Sequence, residues 1–232
     1  LVPGFTNTAR SWDAVERGLP VDWDIQGIDI PDGLDFVGTA DALAHRGGEA
    51  IWIGYSMGAR LCLRLALDNP NVVQALALVS GSPGIASAGA REARLAADER
   101  QAQELERDGV DAFLERWLDQ RLFETLPREK AMLEDRRRGN TVSRLAHQLR
   151  ALGPGNQEPL WDRLAELSVP VLVVAGSYDR AYSDTAHRIA AAIGSNAHVE
   201  IVPGAGHAVH LEEPKELAQR LASWVARTEP EE

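Results

Sequence analysis

Short apolar runs alternate with amphipathic stretches along most of the chain. The apolar runs barely alternate between apolar and polar positions, which is typical of strands buried on both faces. The predicted strands cover residues 24–30, 50–53, 73–79, 169–175 and 198–202. Apolar residues recur at helical spacing in residues 59–67 and 214–227. Strands that alternate with helices predict an α/β protein with a mostly parallel sheet flanked by helices.

Residues 84–165 interrupt this alternation. They are rich in Ala, Arg, Glu and Leu, show helical spacing and contain no convincing strand. An all-helical insertion between two strands of a sheet predicts a helical cap. We therefore expect a core built from residues 1–83 and 166–232, with residues 84–165 as the cap. The last four residues, 229–232, are expected to fray.

Composition and charge limit the kinds of molecule that the protein is expected to bind. The 232 residues are 44% hydrophobic and 25% charged, which is ordinary for a globular protein. The formal net charge of −11 argues against binding to nucleic acids or to anionic membrane surfaces. No stretch approaches the roughly 20 apolar residues that span a bilayer. The sequence shows no secretion leader, so a cytoplasmic location is expected. It leaves the oligomeric state open.

Cys62 is the only cysteine, so an internal disulfide is excluded. It lies in an apolar helical stretch, where we expect it to fill the core, and it fits a reducing compartment. The sequence contains no HExxH motif, no cysteine pair and no cluster of carboxylates with histidines. Neither a G-x-G-x-x-G motif nor a P-loop follows a predicted strand. We expect neither a metal nor a cofactor.

The segment Gly54-Tyr55-Ser56-Met57-Gly58 matches the G-x-S-x-G nucleophile elbow. In that motif a serine occupies a sharp turn between a strand and a helix, with its hydroxyl raised above the sheet. Glycines two residues away on either side allow neighbouring chain to approach closely. Here the motif follows an apolar strand and opens a helical pattern. Ser56 is therefore the predicted nucleophile.

A serine hydroxyl becomes reactive when a base removes its proton and an acid orients that base. In this arrangement the acid, and then the base, come just after later strands of the chain. Asp179 follows the predicted strand 169–175, and His207 follows the predicted strand 198–202. Of the six histidines only His207 has this placement. Asp184 is the alternative acid.

Such a site also needs an oxyanion hole, in which main-chain N–H groups stabilise a developing negative charge. One donor is expected to be the N–H of Met57, the residue after the nucleophile. The second is expected from the loop that begins at Pro3, where the N–H of Phe5 is the candidate.

These motifs resemble the α/β-hydrolase family over nearly the whole chain. Within it, three stretches resemble the menaquinone-pathway synthases that make 2-succinyl-6-hydroxy-2,4-cyclohexadiene-1-carboxylate by eliminating pyruvate. The first stretch is the elbow extended to Arg60. The second is Ser82-Pro83-Gly84 with residues 91–94, and the third runs from residue 137 to residue 161.

The resemblance implies a small substrate with several carboxylates that arginines bind. By that resemblance the roles fall on Arg60, Arg94 and Arg137. Arg138 is a near alternative to Arg137, because residues 136–138 are all arginine and leave the register open. The spacing agrees for Arg60, which lies one helical turn beyond Ser56 and on the same face.

Three aromatic residues are implied as further substrate contacts. They are Tyr55, Trp117 and Phe123.

Two departures from the family pattern also create expectations. Because the sequence starts at the oxyanion loop, the family's first two strands are expected to be missing or trimmed. Residues 29–34 form a shorter loop than in the family and lack its histidine, which is expected to open one side of the pocket.

The implied reaction is a carbon–oxygen lyase reaction. Ser56, activated by His207, would abstract a ring proton from 2-succinyl-5-enolpyruvyl-6-hydroxy-3-cyclohexene-1-carboxylate and drive elimination of pyruvate. One alternative is a carboxylesterase-type hydrolase that uses the same triad through an acyl-enzyme. Another is a non-catalytic binding protein on this fold. Arginines that converge on the pocket favour the synthase, scattered arginines favour the esterase, and separated triad side chains favour the binding protein.

Overall fold

The sheet has four parallel strands in the order β1-β2-β3-β4, in a computed structural model that describes residues 1–228. The strands are β1 Ala50–Tyr55, β2 Val73–Val79, β3 Val171–Gly176 and β4 Ala197–Val202. Four of the five predicted strands are thereby confirmed. The expected fraying of residues 229–232 concerns residues outside the described part of the chain.

Helices cover both faces of the sheet and fill the segment between β2 and β3. Within residues 1–228 they are α1 Asp13–Glu16, α2 Phe36–Gly47, α3 Met57–Asp68, α4 Ala88–Leu118, α5 Leu133–Gly139, α6 Val142–Leu152, α7 Arg180–Ile193, α8 Val209–Glu212 and α9 Pro214–Thr228. Short 3-10 turns occur at Ala9–Trp12, Pro70–Val72, Arg121–Phe123, Arg128–Lys130 and Trp161–Glu166. Strand and helix alternate outside the inserted segment, so the predicted α/β class with a parallel sheet flanked by helices is confirmed.

Successive side chains of the buried strands pack into two separate hydrophobic cores, one on each face of the sheet. In β3, Val171 and Val173 pack with α2, α3 and α7, whereas Leu172 and Val174 pack with α1 and α9. Successive side chains of a strand point to opposite faces, so apolar residues at every position require cover on both sides. Cys62 lies in the first core and is fully buried, and burial raises the pKa of its thiol to about 12.

The inserted segment forms a helical layer with a small core of its own. Helices α4 and α6 pack against each other through Leu105, Phe113 and Leu145, among others. The backbone of α4 turns at Gly109, whose φ of 81° suits glycine, so the element is two helices joined at a kink. Residues 84–165 contain no strand, as the sequence pattern predicts.

The predicted strand at residues 24–30 is wrong. This segment forms no ladder with a neighbour. It exchanges isolated main-chain hydrogen bonds with Leu1, whose carbonyl oxygen accepts from the N–H of Ile28 and whose main-chain nitrogen donates to Gln26 O. The adjacent chain cannot continue the ladder at Pro3, because proline has no N–H to donate.

Candidate active site

Ser56 occupies the turn between β1 and α3 in a backbone conformation that non-glycine residues rarely adopt. Its φ is 51° and its ψ is −107°. The turn is fixed by two main-chain hydrogen bonds, from Ser56 N–H to Val79 O at 2.8 Å and from Arg60 N–H to Ser56 O at 3.1 Å. A serine side chain held in this way stands at the carboxyl end of the sheet, above the strands.

The two glycines of the elbow allow other parts of the backbone to approach closely. A Cβ at Gly54 would lie 2.6 Å from the backbone nitrogen of Ala59, inside the helix that follows the elbow. A Cβ at Gly58 would lie 2.5 Å from Pro3 O. The elbow therefore packs directly against the loop that begins at Pro3, which is why glycine occupies both positions.

Three predicted side chains meet in one hydrogen-bonded row. The Oγ of Ser56 lies 3.1 Å from Nε2 of His207, and Nδ1 of His207 lies 2.8 Å from Oδ2 of Asp179. Asp179 caps α7, where its Oδ1 accepts from Tyr182 N–H at 3.2 Å. This geometry lets His207 take a proton from the serine while Asp179 stabilises the charged ring. The alternative acid, Asp184, is exposed and makes no hydrogen bond to His207.

The main-chain N–H groups of Phe5 and Met57 remain available at the serine. Neither donates a hydrogen bond to another group within residues 1–228, and both residues line the cavity that contains Ser56. The loop carrying Phe5 is anchored beside β1, because Val2 exchanges main-chain hydrogen bonds with Ile53 and Tyr55. The pair fits an oxyanion hole at the mouth of the elbow.

The serine opens into a cavity of about 330 Å³ between the sheet and the helical layer. Three arginines line it, Arg60, Arg94 and Arg136. Among the described residues Asp98 is the one carboxylate on its wall. In a chain whose formal net charge is −11, this concentration of positive charge indicates a site for anions.

Two hydrogen bonds hold Arg60 in the wall of the cavity. Its guanidinium donates to Gln157 Oε1 at 2.7 Å and to Leu152 O at 2.8 Å. The side chain is 7% exposed, and burial lowers the pKa of its guanidinium to about 10. Arg60 stays charged at neutral pH, so its remaining N–H groups can pair with an anion.

Arg94 and Asp98 form an i,i+4 pair on α4. Arg94 Nε donates to Asp98 Oδ1 at 2.7 Å, and the second carboxylate oxygen of Asp98 has no partner among the described residues. Burial raises the pKa of the Asp98 carboxyl. Because only Nε is engaged, the terminal nitrogens of Arg94 are free to bind a ligand in the cavity.

The structure corrects the expected register of the arginine run in α5. Arg136 lines the cavity, and its buried guanidinium bonds to Ala131 O at 2.7 Å and to the hydroxyl of Thr6. Arg137 turns away, toward Asp111 and Glu115. The side chain of Arg138 is 78% exposed. Burial lowers the pKa of Arg136 to about 10, so it too is charged at neutral pH.

The implied aromatic contacts all lie on the cavity wall. Tyr55, Trp117 and Phe123 line it, and Phe123 meets the His207 ring edge-on at 6.0 Å between centroids. Trp117 also packs edge-on against Phe5, at 4.8 Å. The helical layer therefore contacts both the histidine and the oxyanion loop directly.

Several residues at the site were not singled out from the sequence. Asp98 lies four residues after Arg94 on a predicted helix, and that spacing is a usable signal for an ion pair. Gln157 lies within a stretch that carries the family resemblance, although no role was attached to it. No sequence pattern indicates that Thr6 and Tyr182 lie at the site, because their positions depend on how separate elements pack.

No helix among residues 1–228 is long and apolar enough to cross a membrane. The described residues also contain no group of three or more His, Cys, Asp or Glu side chains placed to hold a metal ion.

A sheet of this topology with a serine elbow and a hydrogen-bonded histidine and aspartate defines an α/β-hydrolase. The family model described as alpha/beta hydrolase family matches residues 1–220, and the chain belongs to that family.

Particular relatives confirm the narrower resemblance. A Serratia proteamaculans (strain 568) protein named 2-succinyl-6-hydroxy-2,4-cyclohexadiene-1-carboxylate synthase is 28% identical over 237 residues, which cover 96% of this chain and 90% of that protein. A Bacillus subtilis (strain 168) protein, named provisionally for the same synthase, is 37% identical over 181 residues. That match covers 75% of this chain and 64% of the relative. The structure of MenH from S. aureus superposes with a TM-score of 0.85 at 25% identity, covering 98% of this chain and 92% of that one.

Proposed function

We propose that this chain eliminates pyruvate from 2-succinyl-5-enolpyruvyl-6-hydroxy-3-cyclohexene-1-carboxylate to give 2-succinyl-6-hydroxy-2,4-cyclohexadiene-1-carboxylate. The observation that carries the proposal is the convergence of Arg60, Arg94 and Arg136 on the cavity that contains Ser56. The substrate bears several carboxylates, and arginine is the residue best suited to bind carboxylates through paired N–H donors. The names of the relatives support the same reaction.

In the proposed mechanism Ser56 acts as a base. Its Oγ takes a proton from the substrate ring while its own proton passes to Nε2 of His207, 3.1 Å away. The electron pair left at C2 forms a C2–C3 double bond, the C3–C4 double bond of the ring shifts to C4–C5, and the C5–O bond to the enolpyruvyl group breaks. The released enolate of pyruvate then takes up a proton. Asp179 holds the imidazolium that forms in this step.

The N–H groups of Phe5 and Met57 are proposed to stabilise the charge that develops on the succinyl carbonyl oxygen. Removing one such donor typically costs about 3 kcal/mol of transition-state stabilisation. The donors are main-chain groups fixed by the elbow and by the Val2 anchor, so they need no rearrangement during the reaction. Tyr55, Trp117 and Phe123 are proposed to pack against the ring of the substrate.

The cavity favours the synthase over a carboxylesterase. An ester substrate has no carboxylate that would offset the cost of burying Arg60 and Arg136. The non-catalytic alternative requires a separated triad, whereas the three side chains lie within hydrogen-bonding distance.

We further propose that residues 84–165 act as a cap over this site, on a core of residues 1–83 and 166–232. A cytoplasmic location and independence of metals and cofactors complete the proposal.

The test is pyruvate release from the enolpyruvyl precursor, generated in place by the preceding enzyme of the pathway. The precursor also eliminates spontaneously, so the rate above that background is the quantity measured. We expect Ser56→Ala to lower the catalysed rate to the background, while Ser143→Ala, at an exposed serine of α6, leaves it unchanged. Absence of any acceleration by the parent protein, together with hydrolysis of simple esters, would instead establish the carboxylesterase.

A further inference from the structure

A buried carboxylate outside the cavity accepts hydrogen bonds from the loop that carries His207. Glu212 is 4% exposed and lies in α8, five residues after the histidine. Its Oε2 accepts from Gly206 N–H at 2.8 Å, and its Oε1 accepts from Ala208 N–H at 2.9 Å. The two donors are the residues immediately before and after His207. Both carboxylate oxygens are thus used to fix the main chain on either side of the imidazole.

The same carboxylate is tied to the helical layer. Thr125 Oγ1 donates to Glu212 Oε2 at 2.7 Å, and Lys130 Nζ donates to the main-chain oxygen of Glu212, also at 2.7 Å. Gly206 leaves the space for this contact, because a Cβ at that position would collide with the Thr125 hydroxyl. A separate hydrogen bond, from Ser80 Oγ to His207 O at 2.8 Å, holds the loop from the β2 side.

We propose that Glu212 is a positioning residue, which fixes the His207 loop so that Nε2 faces Ser56, and which links that loop to residues 125–130. A buried carboxylate is stable only when its oxygens are satisfied, and three donors satisfy this one. A base must lie within hydrogen-bonding reach of the proton that it moves, and small displacements at a reacting centre lower rates strongly. Glu212 does not line the cavity, so its effect reaches the reaction only through His207.

This inference rests on the catalytic role proposed for His207, but not on the identity of the substrate. The principal variant is Glu212→Gln. It keeps the size of the side chain but replaces one acceptor oxygen by an NH₂ group, which faces an N–H donor at either Gly206 or Ala208. The matched control is Glu213→Gln, at the neighbouring glutamate, whose side chain makes no hydrogen bond within the described residues.

Two readouts separate positioning from general stability. The first is kcat and KM for pyruvate release. The second is the rate at which an alkyl fluorophosphonate labels Ser56, a reaction in which Oγ bonds to phosphorus, fluoride leaves and His207 takes the proton. We expect Glu212→Gln to lower kcat and the labelling rate by on the order of 10²-fold, the scale of general-base catalysis. KM should stay within about twofold, and Glu213→Gln should match the parent.

Circular dichroism and thermal unfolding identify the folded fraction of each variant. If Glu212→Gln does not fold, Glu212→Asp is measured instead, since it keeps both carboxylate oxygens with a shorter reach, and a lower kcat at unchanged KM is again expected. Parent-like kcat and labelling in a folded Glu212 variant would overturn the inference. So would a rise in KM without a fall in kcat. If the parent is labelled at Ser56 but releases no pyruvate, the proposed substrate fails while the role of Glu212 is still measured by labelling.

Discussion

Gly58 faces Pro3 so closely that a Cβ at position 58 would lie 2.5 Å from the carbonyl oxygen of Pro3. Gly58→Ala must therefore displace the loop that holds the Phe5 N–H. We expect a loss of about 1–3 kcal/mol in the free energy of unfolding, as for overpacked sites, and a fall in kcat of at least about tenfold. Urea denaturation and the pyruvate assay measure the two effects.

The control for this substitution is Gly89→Ala. Gly89 lies in α4 with open space around its Cα, so a methyl group meets nothing there. Alanine is favoured over glycine within a helix by up to about 1 kcal/mol, and Gly89→Ala should therefore leave kcat unchanged and raise the stability slightly. Parent-like kcat in Gly58→Ala would show that the close approach at the elbow does not govern the Phe5 donor.

Arg136 and Arg137 provide a test of which arginine serves the cavity. Lysine keeps the charge but loses the paired geometry of the guanidinium. We expect Arg136→Lys to lower kcat/KM by about tenfold, or about 1.4 kcal/mol, because Arg136 lines the cavity. Arg137→Lys should leave kcat/KM unchanged, since Arg137 pairs with Asp111 and Glu115. The reverse result would mean that α5 is rotated relative to this structure when substrate binds.

Asp179 is expected to control the orientation and charge of His207. In Asp179→Asn the amide can donate to Nδ1 and so favour the tautomer that has its proton on Nε2, which cannot accept a proton from Ser56. We expect kcat to fall by on the order of 10²-fold or more. Asp184→Asn is the control, because Asp184 is exposed. Equal activity of the two variants would remove Asp179 from the proposed mechanism.

His210 is predicted to make stability depend on pH below neutrality. It is fully buried beside Tyr55 and Trp12, and burial holds the pKa of its ring well below the ordinary value of 6.5. Below pH 6.5 the unfolded chain binds a proton that folded His210 does not bind. The contribution of His210 to the free energy of unfolding therefore falls as the pH drops from 6.5 toward the folded pKa, by up to about 1.4 kcal/mol per pH unit.

His210→Leu removes this titration at nearly constant volume. Between pH 6.5 and pH 5 the free energy of unfolding should fall less steeply in His210→Leu than in the parent, as measured by urea denaturation at each pH. His198→Gln, at an exposed histidine, should keep the parent slope. Identical slopes in His210→Leu and the parent would mean that His210 takes up its proton in the folded state as readily as in the unfolded chain.

The strand prediction at residues 24–30 shows the limit of local pattern. The residues have the composition of a short strand, but strand formation also needs a neighbour with free N–H and C=O groups. Here the neighbouring segment has no donor at Pro3, because proline lacks an N–H. By contrast, β1 to β4 follow from the sequence because each apolar run has a partner along most of its length.

Local sequence patterns are enough to predict the α/β order of elements, the elbow at Ser56, and the placement of Asp179 and His207 after later strands. These features are local, since each depends on a strand, a turn and the residues directly after it. The selection of Arg136 rather than Arg137 to line the cavity depends on packing between distant parts of the chain. Neighbouring residues on a helix point about 100° apart, so the packing of α5 against Thr6 and α4 selects one of them. The hydrogen bonds between Glu212 and the His207 loop also depend on packing, because the third donor to this carboxylate, Thr125, lies 87 residues away in the chain.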